Sequence, residues 1–555
     1  MKRITPRHLV IAIAFLAVGL VAAGSFGQSK AREKQNDVYH DLEIFTKILE
    51  KVSLNYVDEV DTHELIQKAI EGMLGDLDPH SQYLSDLEYE DLMVSTRGEF
   101  GGLGILISFR DNYPTVMSPI DGTPAERAGI RGGDQIIEIE GIVTEGWAVD
   151  KAVGYLRGEP GSKVRFKVSR PGQTEAIEYV LTREVINVTS VPYHGMLEEG
   201  VGYMRVSNFA KKTAQEMEDA LADLEGQGMR ALVLDFRSNP GGLLQTATEV
   251  SELFLDKDKL LVYTKGRLSN SNRKYYSSNR HVHSGYPVVV MVNGNSASAS
   301  EIFAGAMQDW DQAIVVGQTS FGKGTVQTVF QLSDTEAVKL TTAKYYTPSG
   351  RSIHKDDRAR HGEDSVTAMN DGGMDVDDVS DLTPDETETT EVKGLAAAKE
   401  KPVYYTSSGR IVYGGGGITP DVEYAPRDYT ELMRRLERDG LGFSFAIDYL
   451  KDHEIAENFR TTDGILNEFY KYLASKNFEY KKEDLTEENV DYIRTMIARE
   501  AVNARYGRSA MYRVVLDHDP EIQETLKMID KNPTLKDMFR YAEQEKSVKK
   551  AAVER

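Results

Sequence analysis

The residues that most restrict the fold run from Val201 to Ser238 and read VGYMRVSNF, AKKTAQEMEDALADLEGQG and, after Met229, RALVLDFRS. An apolar run, an amphipathic helical period and a second apolar run give strand, helix, strand. A helix between two strands of one sheet pairs them in parallel, which places this region in the α/β class. The second run ends in NPGG, Asn239 to Gly242, a tight turn at the C-terminal edge of such a sheet, where sites tend to lie. A further helix, LLQTATEVSELF, and the buried strand YPVVVMV extend the pattern.

At 555 residues the chain is too long for one core and predicts roughly three or four domains. With 40% hydrophobic and 28% charged residues it reads as a folded soluble protein. A formal net charge of −22 argues against nucleic acid or an anionic membrane surface as partner, since both would repel it. The sequence contains no cysteine, which removes disulfides, thiolate metal sites and cysteine nucleophiles together.

The N-terminus bears on location. The basic start MKRITPRH precedes the apolar run Leu9 to Gly24, whose length lies between a signal-peptide core and a membrane span. Segment 1–30 is therefore expected to be a signal peptide or a retained anchor in the inner membrane. Basic residues kept inside place the remainder outside the cytoplasm, in the envelope or periplasm.

Apolar spacing predicts a helical region over 31–97, followed by the turn LDPHSQYL within it. Residues 98–182 carry FGGLGILISF and then SPIDGTPAERAGIRGGDQIIEIEG, which resembles a PDZ domain. Gly102, Leu103, Gly104 and Ile105 stand where PDZ domains keep their carboxylate-binding loop. Consecutive backbone N–H groups freed by glycine make a nest for an anion, and the edge strand after them can accept a peptide strand. An α/β core is expected over 183–355 and 401–426, interrupted by the acidic, aromatic-poor stretch 356–400, which cannot bury enough apolar surface to order itself. The final 427–555 read as a helical, charged C-terminal extension.

The stretch NGNSASASEI sets Ser296, Ser298 and Ser300 on alternate positions ahead of a helical period. Ser298 to Glu301 spells S-x-x-E, a capping box, so Ser298 stands at a helix N-terminus, where developing negative charge is favoured. On these features alone, capping a helix is the commoner role for such a serine. TSFGKGTVQ sets Lys323 between two glycines in an otherwise apolar stretch that reads as a strand, with Gln327 four residues on and on the same face. Lysine acts as a general base only when neutral, a state that desolvation favours. A surface lysine in a turn is the bland alternative.

Taken together, SASASEI, QD and FGKGTVQ closely resemble the C-terminal processing, or tail-specific, proteases, which are serine peptidases with a Ser-Lys dyad. The resemblance implies Ser298 as nucleophile, Lys323 as base and Gln327 as its assistant. Asp309, in QD, would be a third member. DFRSNPGG resembles the turn whose glycine amides complete the oxyanion hole, which implies Gly241 or Gly242 with Ala299. Arg157, in YLRGEPGS, matches an arginine that couples peptide occupancy to the active site.

The implied fold is a multidomain α/β chain with a PDZ domain ahead of a parallel-sheet protease core, plus helical regions at both ends. The implied partners are proteins or peptides with free apolar C-termini, and a homo-oligomer is compatible. No cofactor or metal is expected: HExxH is absent, and His281 and His283 read as a solvated polar loop. Two rivals stand beside this reading. One is a Ser-His-Asp hydrolase using His354, and the other a non-enzymatic PDZ scaffold at the envelope.

Overall fold

The computed structural model describes residues 38–278, 282–355 and 401–553. The expected signal or anchor and the acidic insertion lie outside the described residues. Among these, no helix is long and apolar enough to cross a membrane.

The chain up to Tyr83 forms a compact unit of its own. It contains helices α1 (38–55) and α2 (Thr62–Gly75), the second started by Asp61, whose carboxylate accepts from the amides of His63 and Glu64.

The second unit starts at Leu84. Helix α3 (Asp86–Arg97) begins in a reciprocal Ser85–Glu88 capping box and stops at Gly98, which takes the left-handed conformation (φ 73°). A small β domain follows: β1 (Glu99–Gly102), β2 (Ile105–Arg110), β3 (Tyr113–Pro119), β4 (Gln135–Ile139), helix α4 (Val149–Leu156), β5 (Lys163–Ser169), β6 (Ile177–Thr182) and β7 (Glu184–Asn187). Its main sheet runs β2-β3-β4-β5-β6, antiparallel, with β2 on the edge, while β1 pairs with β7. Alternate residues point inward: Val164, Phe166 and Val168 on β5 join Val116, Ile136, Ile139 and Leu103 in one apolar core. Each such burial contributes about 1.5–3 kcal/mol.

The protease-like core is built from β8 (Tyr193–Met196), β9 (Val201–Arg205), α5 (Thr213–Gly226), β10 (Ala231–Asp235), α6 (Leu244–Ser251), β11 (Leu260–Gly266), β12 (Lys274–Tyr276), β13 (Val288–Val292), α7 (Ala299–Asp309), β14 (Ile314–Gly317), β15 (Thr325–Gln331), β16 (Ala337–Tyr346) and β17 (Val422–Glu423). Strand order is β8-β9-β10-β13-β14-β17, and all but β8 pair in parallel. This is the parallel sheet expected from the strand-helix-strand pattern. Strands β15, β16, β11 and β12 form a second, antiparallel sheet.

The C-terminal helices are α8 (Glu431–Arg438), α9 (Leu441–Asp452), α10 (Asp463–Ser475), α11 (Glu487–Tyr506), α12 (Arg508–His518), α13 (Pro520–Lys531) and α14 (Leu535–Val553). The last three are not an appendage. One face of the parallel sheet (Met204, Leu232, Leu234, Val290) packs on α5, α6 and α7 through Met217, Leu221, Val250 and Phe303. The opposite face (Tyr203, Val233, Val289, Met291, Val316) packs on Met511, Tyr512, Ile522, Ile529 and Met538 of α12 to α14. A parallel sheet needs cover on both faces, and here the end of the chain supplies the second layer.

Candidate active site

Three turns meet at the C-terminal ends of β10, β13 and β14. They span 236–243, 293–298 and 318–324, and the side chains of Ser296, Ser300 and Glu301 hold them in register.

Ser298 caps α7 with φ 53° and ψ −111°, a region that L-residues rarely occupy. The strain is offset by bonds around it. Ser296, fully buried, donates from Oγ to the carbonyl of Phe236 (2.8 Å), and Ser300, also fully buried, donates to the carbonyl of Asn239 (3.0 Å). The amide of Ala297 donates to that same carbonyl at 3.0 Å. The flanking serines pin the serine turn to the NPGG turn. Ser298, between them, stays half-buried.

Asn239 organises the NPGG turn. Its Nδ2 donates to the carbonyl of Val206 (2.9 Å), and its Oδ1 accepts from the amide of Gly241 (2.8 Å). The Gly241 amide is therefore engaged, which leaves Gly242 of the two glycines as the candidate oxyanion donor. Gly241 has a different task. At φ +101°, a Cβ there would come 2.8 Å from Ser298 Cβ, Ala299 N and Ala297 O, so only glycine keeps the space beside the serine open.

Glu301 joins the serine turn to the lysine turn. It lies fully buried on the first turn of α7. Its carboxylate accepts from the amides of Ser298 (2.9 Å), Gly322 (2.7 Å) and Lys323 (3.0 Å) and from Ser320 Oγ (2.5 Å). Burial pushes its carboxyl up to about 7, against those four bonds, which pull the other way. Tyr345 Oη, also buried, lies 3.1 Å from the Ser298 carbonyl and hydrogen-bonds the Lys323 carbonyl as well. The capping box marked Glu301 in the sequence, but its second function, holding the lysine loop, was missed.

Lys323 is half-buried and lies in a loop ahead of β15, not within a strand. A Cβ at Gly324 would come 2.7 Å from His354 N, and one at Gly322 would come 3.0 Å from Gly417 N, so both flanking glycines serve close packing. Gln327 does not sit on a regular alternation from Lys323, because the register shifts between Val326 and Gln327. Its Nε2 donates to Thr325 Oγ1 (2.9 Å) and is within 3.3 Å of Thr341 Oγ1. His354 places its backbone and Cβ against Gly324.

Asp309 is not brought to the serine. It ends α7, about 16 Å along the helix from Ser298. There it pairs with the fully buried Arg351 (Oδ1–Nη2 2.8 Å) and accepts from the amide of Ser349 (2.9 Å). His283 is likewise not solvated: it is 6% exposed, with Nδ1 2.9 Å from Glu225 on α5, while His281 lies outside the described residues. Among the described residues no cluster of side chains fits a metal ion.

In the small β domain, Leu103 is buried and Gly104 adopts φ +76° where a Cβ would come 2.4 Å from Thr123 Cγ2, so the Gly102–Ile105 loop is tightly seated next to edge strand β2. Arg157 follows α4, and its side chain is mostly buried. It pairs with Asp91 on α3 (2.5 Å) and lies 5.0 Å over the ring of Phe100.

Comparison with known proteins agrees across these regions. Residues 200–360 match Peptidase family S41, residues 115–170 match a PDZ domain, residues 20–87 match the activating protease CtpB N-terminal domain, and residues 432–487 match the C-terminal helical domain of a probable PDZ-protease. A carboxy-terminal-processing protease of Bartonella bacilliformis is 40% identical over 347 residues, which take in 62% of this chain and 79% of that protein. The carboxyl-terminal-processing protease of Synechocystis sp. is 39% identical over 295 residues, 52% of this chain and 68% of the relative. The carboxy-terminal processing protease CtpA of Bacillus subtilis is 36% identical over 310 residues, 56% and 66% respectively.

Proposed function

The chain belongs to the carboxy-terminal-processing proteases, serine peptidases of family S41 with a PDZ domain, and within that activity we propose Ser298 as nucleophile and Lys323 as base. The observation that carries the assignment is Glu301, which accepts from the amides of both residues and so fixes the two loops against each other.

In this reading the neutral Lys323 amine takes the Oγ proton as Ser298 attacks the scissile carbonyl carbon. The carbonyl oxygen becomes an oxyanion and receives hydrogen bonds from the amides of Ala299 and Gly242. When the C–N bond breaks, the proton passes from Lys323 to the leaving amine. Water, deprotonated by the same amine, then cleaves the acyl-enzyme and restores the Ser298 hydroxyl. Gln327 acts from the lysine side of the site through its bridge to Thr325.

We place the substrates among envelope proteins with free apolar C-termini, held by the Gly102–Ile105 loop and β2 as an added strand. The basic start and the run Leu9 to Gly24 support a position outside the cytoplasm, tethered to the inner membrane.

The test is digestion of an unfolded protein with an apolar tail, carrying a free or an amidated C-terminus, with mass spectrometry of the new ends. Ser298→Ala and Lys323→Ala should each abolish cleavage, and amidation should raise KM about tenfold with kcat little changed. Cleavage by Lys323→Ala at the wild-type rate would transfer the base role to His354, which lies beside Gly324. Equal KM for both tails would remove the carboxylate from recognition.

A further inference from the structure

Arg237 follows β10 and stands two residues before Asn239 of the NPGG turn. Its guanidinium is bound on one side by Asp235 (Nη2–Oδ2 2.7 Å, Nε–Oδ1 3.0 Å). On the other side it meets two carboxylates from the start of α13: Asp519 (2.8 Å) and Glu521 (2.8 Å). All three partners and the arginine are largely buried, with side-chain exposures of 3% for Asp235, 15% for Asp519, 14% for Glu521 and 18% for Arg237. Asp519 also caps α13, accepting from the amides of Glu521 and Ile522, which fixes its orientation.

Glu521 reaches further. While Oε2 takes the Arg237 bond, Oε1 lies 3.4 Å from Nε2 of Gln318, the first residue of the loop that carries Lys323. The amide of Gln318 donates to the Val292 carbonyl at the end of β13, just before the serine turn. One carboxylate from the C-terminal helices thus contacts the root of the NPGG turn and the root of the lysine loop.

We propose that Glu521, assisted by Asp519, is a positioning residue for the peptidase reaction, aligning the oxyanion turn and the lysine loop through Arg237 and Gln318. The C-terminal helices are on this account a working part of the active site. The proposal rests on the assignment of Ser298 as nucleophile and of the 238–242 turn as oxyanion donor. Removing a carboxylate at this distance leaves substrate capture by the PDZ domain untouched. It alters the geometry that receives the tetrahedral oxyanion, a loss that falls on kcat.

The experiment compares full-length wild type with Glu521→Ala, Glu521→Gln, Arg237→Ala and the double variant Arg237→Ala/Glu521→Ala, each corrected for the folded fraction. Glu521→Ala should lower kcat about tenfold with KM within twofold. A peptide aldehyde, which forms a tetrahedral adduct with the serine, should lose affinity by the same factor. Glu521→Gln, which keeps an acceptor for Gln318 and loses the charge facing Arg237, should fall between. The double variant should lose less than the sum of the two single losses. A folded Glu521→Ala or Glu521→Gln enzyme with wild-type kcat and aldehyde affinity overturns the proposal, as do fully additive losses. Should the alanine variant not fold, the near-isosteric glutamine variant decides. Ser298→Ala is run alongside: residual cleavage there defeats the nucleophile assignment, whereas its inactivity beside a wild-type-like Glu521→Gln defeats the positioning role alone.

Discussion

Glu301 Oε2 stands 3.0 Å from the amide nitrogen of Lys323, although twenty-two residues separate the two in sequence. The same oxygen is 2.9 Å from the amide of Ser298. The geometry of the proposed dyad is therefore set by a third side chain that touches the backbone of both residues.

That arrangement makes activity pH-dependent in a predictable sense. The Glu301 carboxyl titrates near 7, and its four partners are all donors, so protonation puts an O–H where an acceptor is needed. kcat should fall as pH drops through about 7, and Glu301→Gln should both lower kcat at least tenfold and erase that limb. Stability runs the opposite way. The unfolded group titrates near 4.5, so the folded state holds the extra proton between the two values; stability from this group is full below 4.5 and is lost as pH rises through about 7, by roughly 3 kcal/mol. Measured pH profiles of kcat and of denaturant midpoints check both signs. A glutamine variant with an unchanged profile would remove Glu301 from the mechanism.

Gly241→Ala should cost about a hundredfold in kcat, in the range of losing one oxyanion donor. The added methyl would press on Ser298 Cβ and Ala299 N while demanding φ +101° of an alanine. Active-site-titrated kinetics, with peptide binding to the PDZ domain as control, should show lost turnover and retained binding. Wild-type kcat would mean that the space beside the serine is unused.

Asp309→Asn should behave in the opposite manner. It removes the charge facing the fully buried Arg351 and should destabilise the fold by about 3–5 kcal/mol, with kcat per folded molecule within twofold of wild type. Thermal denaturation and titrated kinetics separate these effects. A tenfold loss of kcat at unchanged stability would make Asp309 a third member of the catalytic group.

The parallel sheet and the capping role of Ser298 were legible from periodicity and local signals, since those are properties of neighbouring residues, and the PDZ domain was legible from its resemblance to a known family. Other features depend on distant partners. The spacing of Ser296 and Ser300 marks them as small and polar, but their acceptors, the carbonyls of Phe236 and Asn239, lie about sixty residues away. Lys323 reads as part of a strand because apolar residues flank it, whereas packing of Gly322 and Gly324 against 353–354 and 417 holds the segment as a loop. His283 reads as solvated until α5 brings Glu225 to it. The role of the last helices had a usable signal. VGYMRV, RALVLDF and VVVMV are apolar on both alternating faces, so the sheet required a second covering layer, and α5 to α7 account for only one.

That second layer carries a consequence for synthesis. Apart from the short β17, the strands it covers end at β14, whereas α12 to α14 begin nearly two hundred residues later, and until they leave the ribosome Tyr203, Val233 and Met291 lack that apolar cover. Pairings of such long sequence separation form late. The core sheet of this peptidase is thereby covered on both faces only once residues 508–553 have been translated, long after the serine and lysine turns themselves.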